Sequence, residues 1–165
     1  MPRTIYIRRI RFLMIFFIIA LVASGLTAVP LEWELGLLDR LAGSTSVPGH
    51  LLPALGEWIS RVYTGLQAAY AVFPQVAYGT DWLAFAHIAI ATAFIGPLRD
   101  PIRNRWVVEF GMLACALLIP WTLLMAVVRH IPWFWQLVDL SFGVFGILPL
   151  WWVRRDILRL ESLER

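Results

Sequence analysis

Four long stretches of this 165-residue chain carry almost no charge, and they limit its possible folds more than any other feature. They cover residues 12–29, 82–98, 106–128 and 133–153. Glu109 and Asp139 are the only Asp, Glu, Lys or Arg residues within them, and His87 is the only histidine. A helix needs about 20 mostly apolar residues to cross a bilayer, so the stretches match membrane spans. The sequence predicts an all-α protein, an integral membrane four-helix bundle forming one membrane domain over residues 1–165.

Composition and charge agree with a membrane protein. Hydrophobic residues make up 60% of the chain and charged residues 15%, against roughly 45–50% and about 25% in soluble domains. This balance excludes a disordered chain and disfavours a water-soluble globule. The net charge of +3 accompanies apolar runs, so it indicates membrane orientation, and no nucleic-acid partner is expected.

The arginines predict how the chain is threaded through the bilayer. All 14 basic residues are Arg, and cytoplasmic loops are enriched in such residues. Four spans with a cytoplasmic N-terminus leave three outside, Arg40, Arg61 and Arg129. The other 11 lie inside: Arg3, Arg8, Arg9, Arg11, Arg99, Arg103, Arg105, Arg154, Arg155, Arg159 and Arg165. Both termini are therefore predicted to be cytoplasmic.

A fifth span over residues 62–80 is the main alternative to this threading. The stretch lacks charges but contains Gln67, Pro74 and Gln75. Inserting it would invert everything that follows, leaving 5 arginines inside and 9 outside. The positive-inside rule therefore favours four spans.

The first apolar run also has features of a cleaved signal peptide. Basic residues precede it, and residues 23–25 resemble a small-residue cleavage site. Its length of about 18 residues exceeds the roughly 7–15 typical of a signal peptide, so retention is favoured.

Residues 30–81, between the first two spans, form a predicted extracytoplasmic helical segment. We expect a short helix from Leu31 to Ala42, ended by Gly43, and then a loop over residues 43–50. A longer amphipathic helix follows, and its apolar face comprises Leu55, Trp58, Ile59, Val62, Leu66, Ala69 and Phe73. Such a helix lies along the outer interface or caps the bundle; a partner-docking surface is the alternative.

Polar side chains within the spans are the predicted functional residues. Counting 1.5 Å per residue, His87 and Asp139 both lie about 9 Å from the outer boundary, and Thr122 lies at nearly the same level. Gln136 shares the Asp139 side of its helix. We hypothesise that His87 and Asp139 form a hydrogen bond, which either fixes helix register or belongs to a proton or cation relay.

Two further patterns concern packing. A small-residue stripe of Ala20, Ser24 and Ala28 predicts close helix approach in the first span. Near the cytoplasmic boundary, Glu109 lies one turn after Arg105 and level with Arg154 and Arg155. This spacing predicts a structural salt bridge involving Glu109, Arg105 and Arg155.

Motifs for other chemistry are missing from the sequence. No His or Cys pair has metal-ligand spacing, and no glycine-rich phosphate loop or nucleophile motif occurs. The histidines His50, His87 and His130 lie at different depths, which argues against a bis-histidine haem. We predict no metal, no cofactor and no catalytic residue.

The C-terminal half resembles a known group of sequences. Residues 95–111, Ile-Gly-Pro-Leu-Arg-Asp-Pro-Ile-Arg-Asn-Arg-Trp-Val-Val-Glu-Phe-Gly, and residues 131–143 are similar to a small family of bacterial four-span inner-membrane proteins with no assigned activity. The resemblance implies a bacterial inner membrane and a compact four-span fold, and it implies nothing about chemistry.

Three functions are compatible with the sequence. A non-enzymatic accessory or scaffold subunit, bound to the bilayer and to a partner subunit or a second copy, is favoured. A small proton- or cation-coupled transporter using His87 and Asp139 is the first alternative. An outer-leaflet lipid-handling protein or membrane enzyme is the second.

Overall fold

The computed structural model describes residues 3–164 and, of Glu164, the backbone alone. The described residues are 88% helical and contain no strand. The helices are α1 (Arg3–Leu26), α2 (Leu31–Ala42), α3 (Val47–Leu51), α4 (Pro53–Val72), α5 (Tyr78–Ala93), α6 (Ile95–Arg99), α7 (Arg105–Arg129) and α8 (Trp133–Glu164), with a 3₁₀ turn over Pro74–Ala77 before α5. The predicted all-α fold is confirmed.

Four segments are long and apolar enough to cross a membrane, as predicted. They are Arg3–Leu26, Pro74–Arg99, Arg105–Arg129 and Trp133–Leu163. The first and last extend well beyond the apolar runs, because backbone hydrogen bonding continues where hydrophobicity ends. At 1.5 Å per residue, α8 is about 48 Å long, which exceeds the roughly 30 Å hydrocarbon core.

The second segment is interrupted at Phe94, between α5 and α6. Pro97 has no backbone N–H and cannot donate to the carbonyl of residue 93, which is the last residue of α5. Pro120 and Pro149, in contrast, lie inside α7 and α8, which continue past them.

A tight turn joins α7 to α8. His130 caps α7 in the left-handed conformation, with φ 55°, and the Ile131 N–H donates to the Ala126 carbonyl over 2.9 Å. Both features are typical of a helix C-terminal cap. Residues 130–132 therefore connect α7 directly to α8, and the two helices pack on each other.

The chain divides into two compact units. Unit 1 comprises residues 1–20 and 90–165, of which 3–20 and 90–164 are described. Most of its large buried apolar side chains come from α1, α7 and α8, and Phe94 and Pro97 add to them: Ile10, Met14, Phe94, Pro97, Val107, Val108, Leu150, Val153, Ile157 and Leu160. The Phe17 and Phe94 rings lie 4.8 Å apart, centre to centre.

Unit 2 comprises residues 21–89 and contains the short helices. The predicted helix from Leu31 to Ala42 is α2, and Gly43 follows it as predicted. The loop expected over residues 43–50 is partly wrong, since Ser46 caps the short helix α3 and its side chain accepts from the Gly49 N–H over 3.0 Å. The amphipathic helix is α4, which packs on α2 and α3.

The close helix approach in α1 occurs one position away from the predicted stripe. Gly25 and Ala28 are buried, whereas Ala20 and Ser24 are exposed. A Cβ atom at Gly25 would overlap that of His87 in α5. A residue without a side chain permits closer approach than serine, so the contact face is turned towards Gly25.

Candidate functional site

The His87 side chain is half-buried and bonded within its own helix. Its Nδ1 lies 2.8 Å from the Leu83 carbonyl oxygen, one turn earlier in α5. A carbonyl oxygen only accepts, so Nδ1 is the donor and Nε2 is the ring atom left for another group. The backbone therefore fixes the tautomer of this imidazole.

Asp139 lies on the side of α8 that faces α7. Gly143 is one turn further along, and a Cβ there would lie 3.0 Å from the Cys115 carbonyl oxygen and 3.5 Å from a Leu118 methyl carbon. One turn along each antiparallel helix brings Asp139 and Thr122 to the same level, and both are half-buried. Within the described part of unit 1, Asp139 has no ion-pair or hydrogen-bond partner.

The remaining intramembrane candidate, Gln136, has a local role. Its side-chain amide donates to the Ile131 carbonyl over 2.9 Å and so supports the turn before α8. His87 belongs to unit 2 and Asp139 to unit 1. The His87–Asp139 pair therefore stays a prediction.

Charged side chains are concentrated at one end of unit 1. Glu109 pairs with Arg105 over 3.3 Å and with Arg154 over 2.9 Å. Arg105 also pairs with Glu161 over 2.9 Å. Arg155, predicted as a partner of Glu109, lies instead over the Trp151 ring, 5.7 Å from its centre. Successive residues of a helix are rotated by about 100° about its axis. Arg154 therefore reaches α7, and Arg155 does not.

A further ion pair in unit 1 was not predicted from the sequence. Asp156 is fully buried, and both of its oxygens accept hydrogen bonds from Arg9. This pair joins the start of α1 to the last part of α8. A signal exists in the sequence, since Asp156 interrupts an apolar stripe of Val153, Ile157 and Leu160, and a carboxylate on a buried stripe requires a partner.

Hydroxyl hydrogen bonds and close backbone contacts hold α2, α3 and α4 of unit 2 together. The Ser60 hydroxyl of α4 donates to Asp39 of α2 and accepts from the Ser44 N–H over 2.9 Å. A Cβ at Gly49 would overlap the Gly43 carbonyl oxygen, and one at Gly56 would lie 2.8 Å from the Gly49 Cα. Backbones therefore meet directly in what we call the α2–α4 unit, residues 31–72.

The predicted interfacial face of α4 is partly covered by protein. Ile59 is 2% exposed, whereas Phe73 follows the end of the helix and is 55% exposed. The other members of the face are half-buried: Leu55, Trp58, Val62, Leu66 and Ala69. The packing of α4 on α2 and α3 accounts for part of its amphipathicity.

An open groove of about 630 Å³ runs between α2 and α4. Its wall includes Trp33, Tyr63 and Tyr70, together with Glu32 and Arg40. Gly36 lies between the two charged residues, and a Cβ there would lie 3.0 Å from the Tyr63 hydroxyl oxygen. We call this feature the α2–α4 groove.

Comparison with known proteins gives no relative from which a role could be transferred. No family model, no curated protein and no solved structure matches the chain. Over residues 3–164, no three His, Cys, Asp or Glu side chains form a group suited to a metal ion.

Proposed function

We propose that this protein is a non-enzymatic accessory or scaffold subunit of a bacterial inner membrane. Four spans anchor it, both termini are cytoplasmic, and the α2–α4 unit is displayed on the outer side for a partner subunit. The observation that carries the proposal is the Ser60–Asp39–Ser44 network, which joins α4 to α2 and to the loop before α3 while leaving Glu57 and Arg61 of α4 exposed. A pre-ordered surface with free charges is suited to docking, because little conformational entropy is lost on binding.

The ion pairs of unit 1 support the proposed threading. Because Arg9 pairs with Asp156, the start of α1 and the last part of α8 lie at the same end of unit 1. The Arg105–Glu161 pair brings the start of α7 to that end. Three helix ends rich in arginine thus share one level, as a cytoplasmic face requires.

Cysteine labelling tests the orientation. In a Cys115→Ser background, Arg61→Cys should react with a membrane-impermeant maleimide in intact cells. Arg103→Cys, on the opposite side, should react only after permeabilisation. The reverse pattern would contradict the proposed threading, and reaction of both in intact cells would contradict the four-span topology.

Copurification in a mild detergent tests the docking role. A stoichiometric protein should accompany the full chain and be lost from the Asp39→Ala/Ser60→Ala double variant, which loosens the α2–α4 unit. Ser162→Ala is the control, since that hydroxyl donates to Arg159 of its own helix. Absence of a stoichiometric protein from the wild type, or equal loss from the control, would reject the proposal.

The isolated Asp139 favours a second candidate, a proton or cation relay. Ionisable groups at membrane depth are costly and mark ion pathways. If the relay operates, Asp139→Asn and His87→Ala should each lower proton flux in proteoliposomes at least about tenfold, as removal of a relay group does. Ser141→Ala, whose hydroxyl donates to Val138 of its own helix, should not. Unchanged flux in Asp139→Asn would reject the relay.

A further inference from the structure

The α2–α4 groove opens beside the ends of two candidate spans. Its wall includes Pro30, four residues after the end of α1, and Ala77, one residue before the start of α5. These spans are consecutive, so the end of one and the start of the next lie at the same membrane surface. The groove is therefore expected at the level of the lipid headgroups.

Aromatic side chains give the groove an affinity for cations. Trp33 projects from α2, and Tyr63 and Tyr70 project from α4. The faces of such rings attract ammonium groups, and several rings around one site are the usual means of binding a substituted ammonium. The groove volume of about 630 Å³ lies within the roughly 300–1,000 Å³ common for small-ligand sites.

Two opposite charges occupy the same face of α2. Glu32, Gly36 and Arg40 follow one another at intervals of four residues, so they lie in a row one turn apart. Among the described residues, neither Glu32 nor Arg40 has an ion-pair partner. The groove thus offers a carboxylate near one end and a guanidinium near the other.

A hydroxyl donor lies between these charges. The Gln67 side-chain amide donates to the Tyr63 oxygen over 2.7 Å, so the Tyr63 hydrogen remains available to a ligand acceptor. Because Gly36 has no side chain, this hydroxyl group lies directly against α2. A ligand acceptor group bound by Arg40 would lie within one to two helical turns of the Tyr63 hydroxyl group.

We propose that the α2–α4 groove binds the headgroup of an amine-bearing phospholipid, with phosphatidylethanolamine as the probe. Arg40 and the Tyr63 hydroxyl bind the phosphate. Glu32 and the aromatic rings bind the ammonium. This inference rests on the membrane placement of the spans and is independent of any partner subunit.

Native mass spectrometry of the full chain in detergent tests this site. Phosphatidylethanolamine should bind about tenfold more tightly than phosphatidylglycerol with the same acyl chains, since only the former carries an amine. Arg40→Gln should lower the binding affinity for both lipids about tenfold, because both lipids carry a phosphate. Glu32→Gln should instead lower the ratio of the two affinities to about three, the part that the aromatic rings supply. Trp33→Leu should lower that ratio about threefold.

Glu57→Gln and Arg61→Gln are the matched controls. Both residues are exposed on α4 and lie outside the groove lining, so both variants should bind like the wild type. Equal wild-type affinity for the two lipids, or control variants as weak as Arg40→Gln, would overturn the proposal. A copurifying protein lost from Arg40→Gln, with no lipid preference in the wild type, would assign the groove to a protein partner and also overturn it. Since purified chain is titrated with lipid alone, a failed docking role leaves this test intact.

Discussion

The two units of the molecule are held together by different interactions. In unit 1 the helices are long and apolar, and charged side chains pair across them at one end, as in Arg9–Asp156 and Arg154–Glu109. In unit 2 the Asp39 carboxylate is bonded to the Ser60 hydroxyl rather than to a guanidinium, and backbones approach one another directly at glycines. Among the described residues of unit 2, Arg40 and Arg61 have no ion-pair partner.

The two units differ in what their charged side chains contact. Where a carboxylate is fully buried, as Asp156 is in unit 1, an unpaired charge is costly, and the Arg9 guanidinium neutralises it. Where short helices are joined by hydroxyl groups, charged side chains remain available to molecules outside the chain. Among the described residues, unit 1 thus contains the buried ion pair, whereas Arg40 and Arg61 of unit 2 are exposed and have no ion-pair partner.

Removing the buried ion pair should have the largest effect. Arg9→Ala leaves Asp156 buried without a partner, a change that costs about 3–5 kcal/mol in fully buried pairs. Because Arg9 is 43% exposed, we expect about 2–3 kcal/mol of lost stability by denaturant unfolding in detergent. Arg8→Ala, at an exposed neighbouring position, is the control. The Arg9→Leu/Asp156→Leu double variant should recover most of the loss, and failure to do so would contradict this account.

Glycine substitutions should sharpen the contrast within unit 2. Gly25→Ala forces a Cβ into His87, and we expect a loss of about 2 kcal/mol, typical of overpacking. At Gly65, also helical, no atom lies within 4 Å of an added Cβ. Gly65→Ala should therefore stabilise by about 0.5–1 kcal/mol through helix propensity. Equal responses in thermal unfolding would contradict the close α1–α5 approach.

Removing the central hydroxyl of unit 2 should have a smaller effect. Ser60→Ala leaves Asp39 and the Ser44 N–H without this partner, at a cost of about 1–2 kcal/mol. Hydrogen exchange should rise in α2 to α4 and stay unchanged in α7 and α8. Thr64→Ala, exposed on α4, serves as the control, and increased exchange in α7 would show that the units are not separately stabilised.

The exposed ion pairs of unit 1 should contribute least. Glu109→Gln removes its pairs with Arg105 and Arg154, whose side chains are 37% and 40% exposed. Such pairs contribute about 0.2–1 kcal/mol each and are screened by salt. The loss should fall further at high ionic strength. A loss of stability larger than that of Arg9→Ala would contradict the greater importance assigned to the Arg9–Asp156 pair.

Much of the fold follows from apolar run length and local signals. The four spans and α2 were predictable, since hydrophobic length and a glycine after the last turn are local properties. Gly25 was missed because spacing identifies a small-residue stripe only to within one position. The helix α1 begins nine residues before the predicted span, because hydropathy reports lipid contact rather than helix continuity.

The candidate sites were less predictable. Depth counting places Asp139 and Thr122 at one level, but it does not determine which helices face each other. The buried pair joins residues 147 positions apart, so no local pattern connects them. The groove depends on how α2 and α4 pack, and Glu32 and Arg40 look in the sequence like ordinary surface charges.

The Arg9–Asp156 pair also affects how the protein is made. Its two residues are separated by 147 positions, and ribosomes add about 5–20 residues per second. Asp156 is therefore synthesised roughly 7–30 s after Arg9. Insertion can begin during translation, but this ion pair can form only after α8 has been synthesised as far as Asp156. A nascent chain that stops before Asp156 would leave the Arg9 guanidinium without this partner.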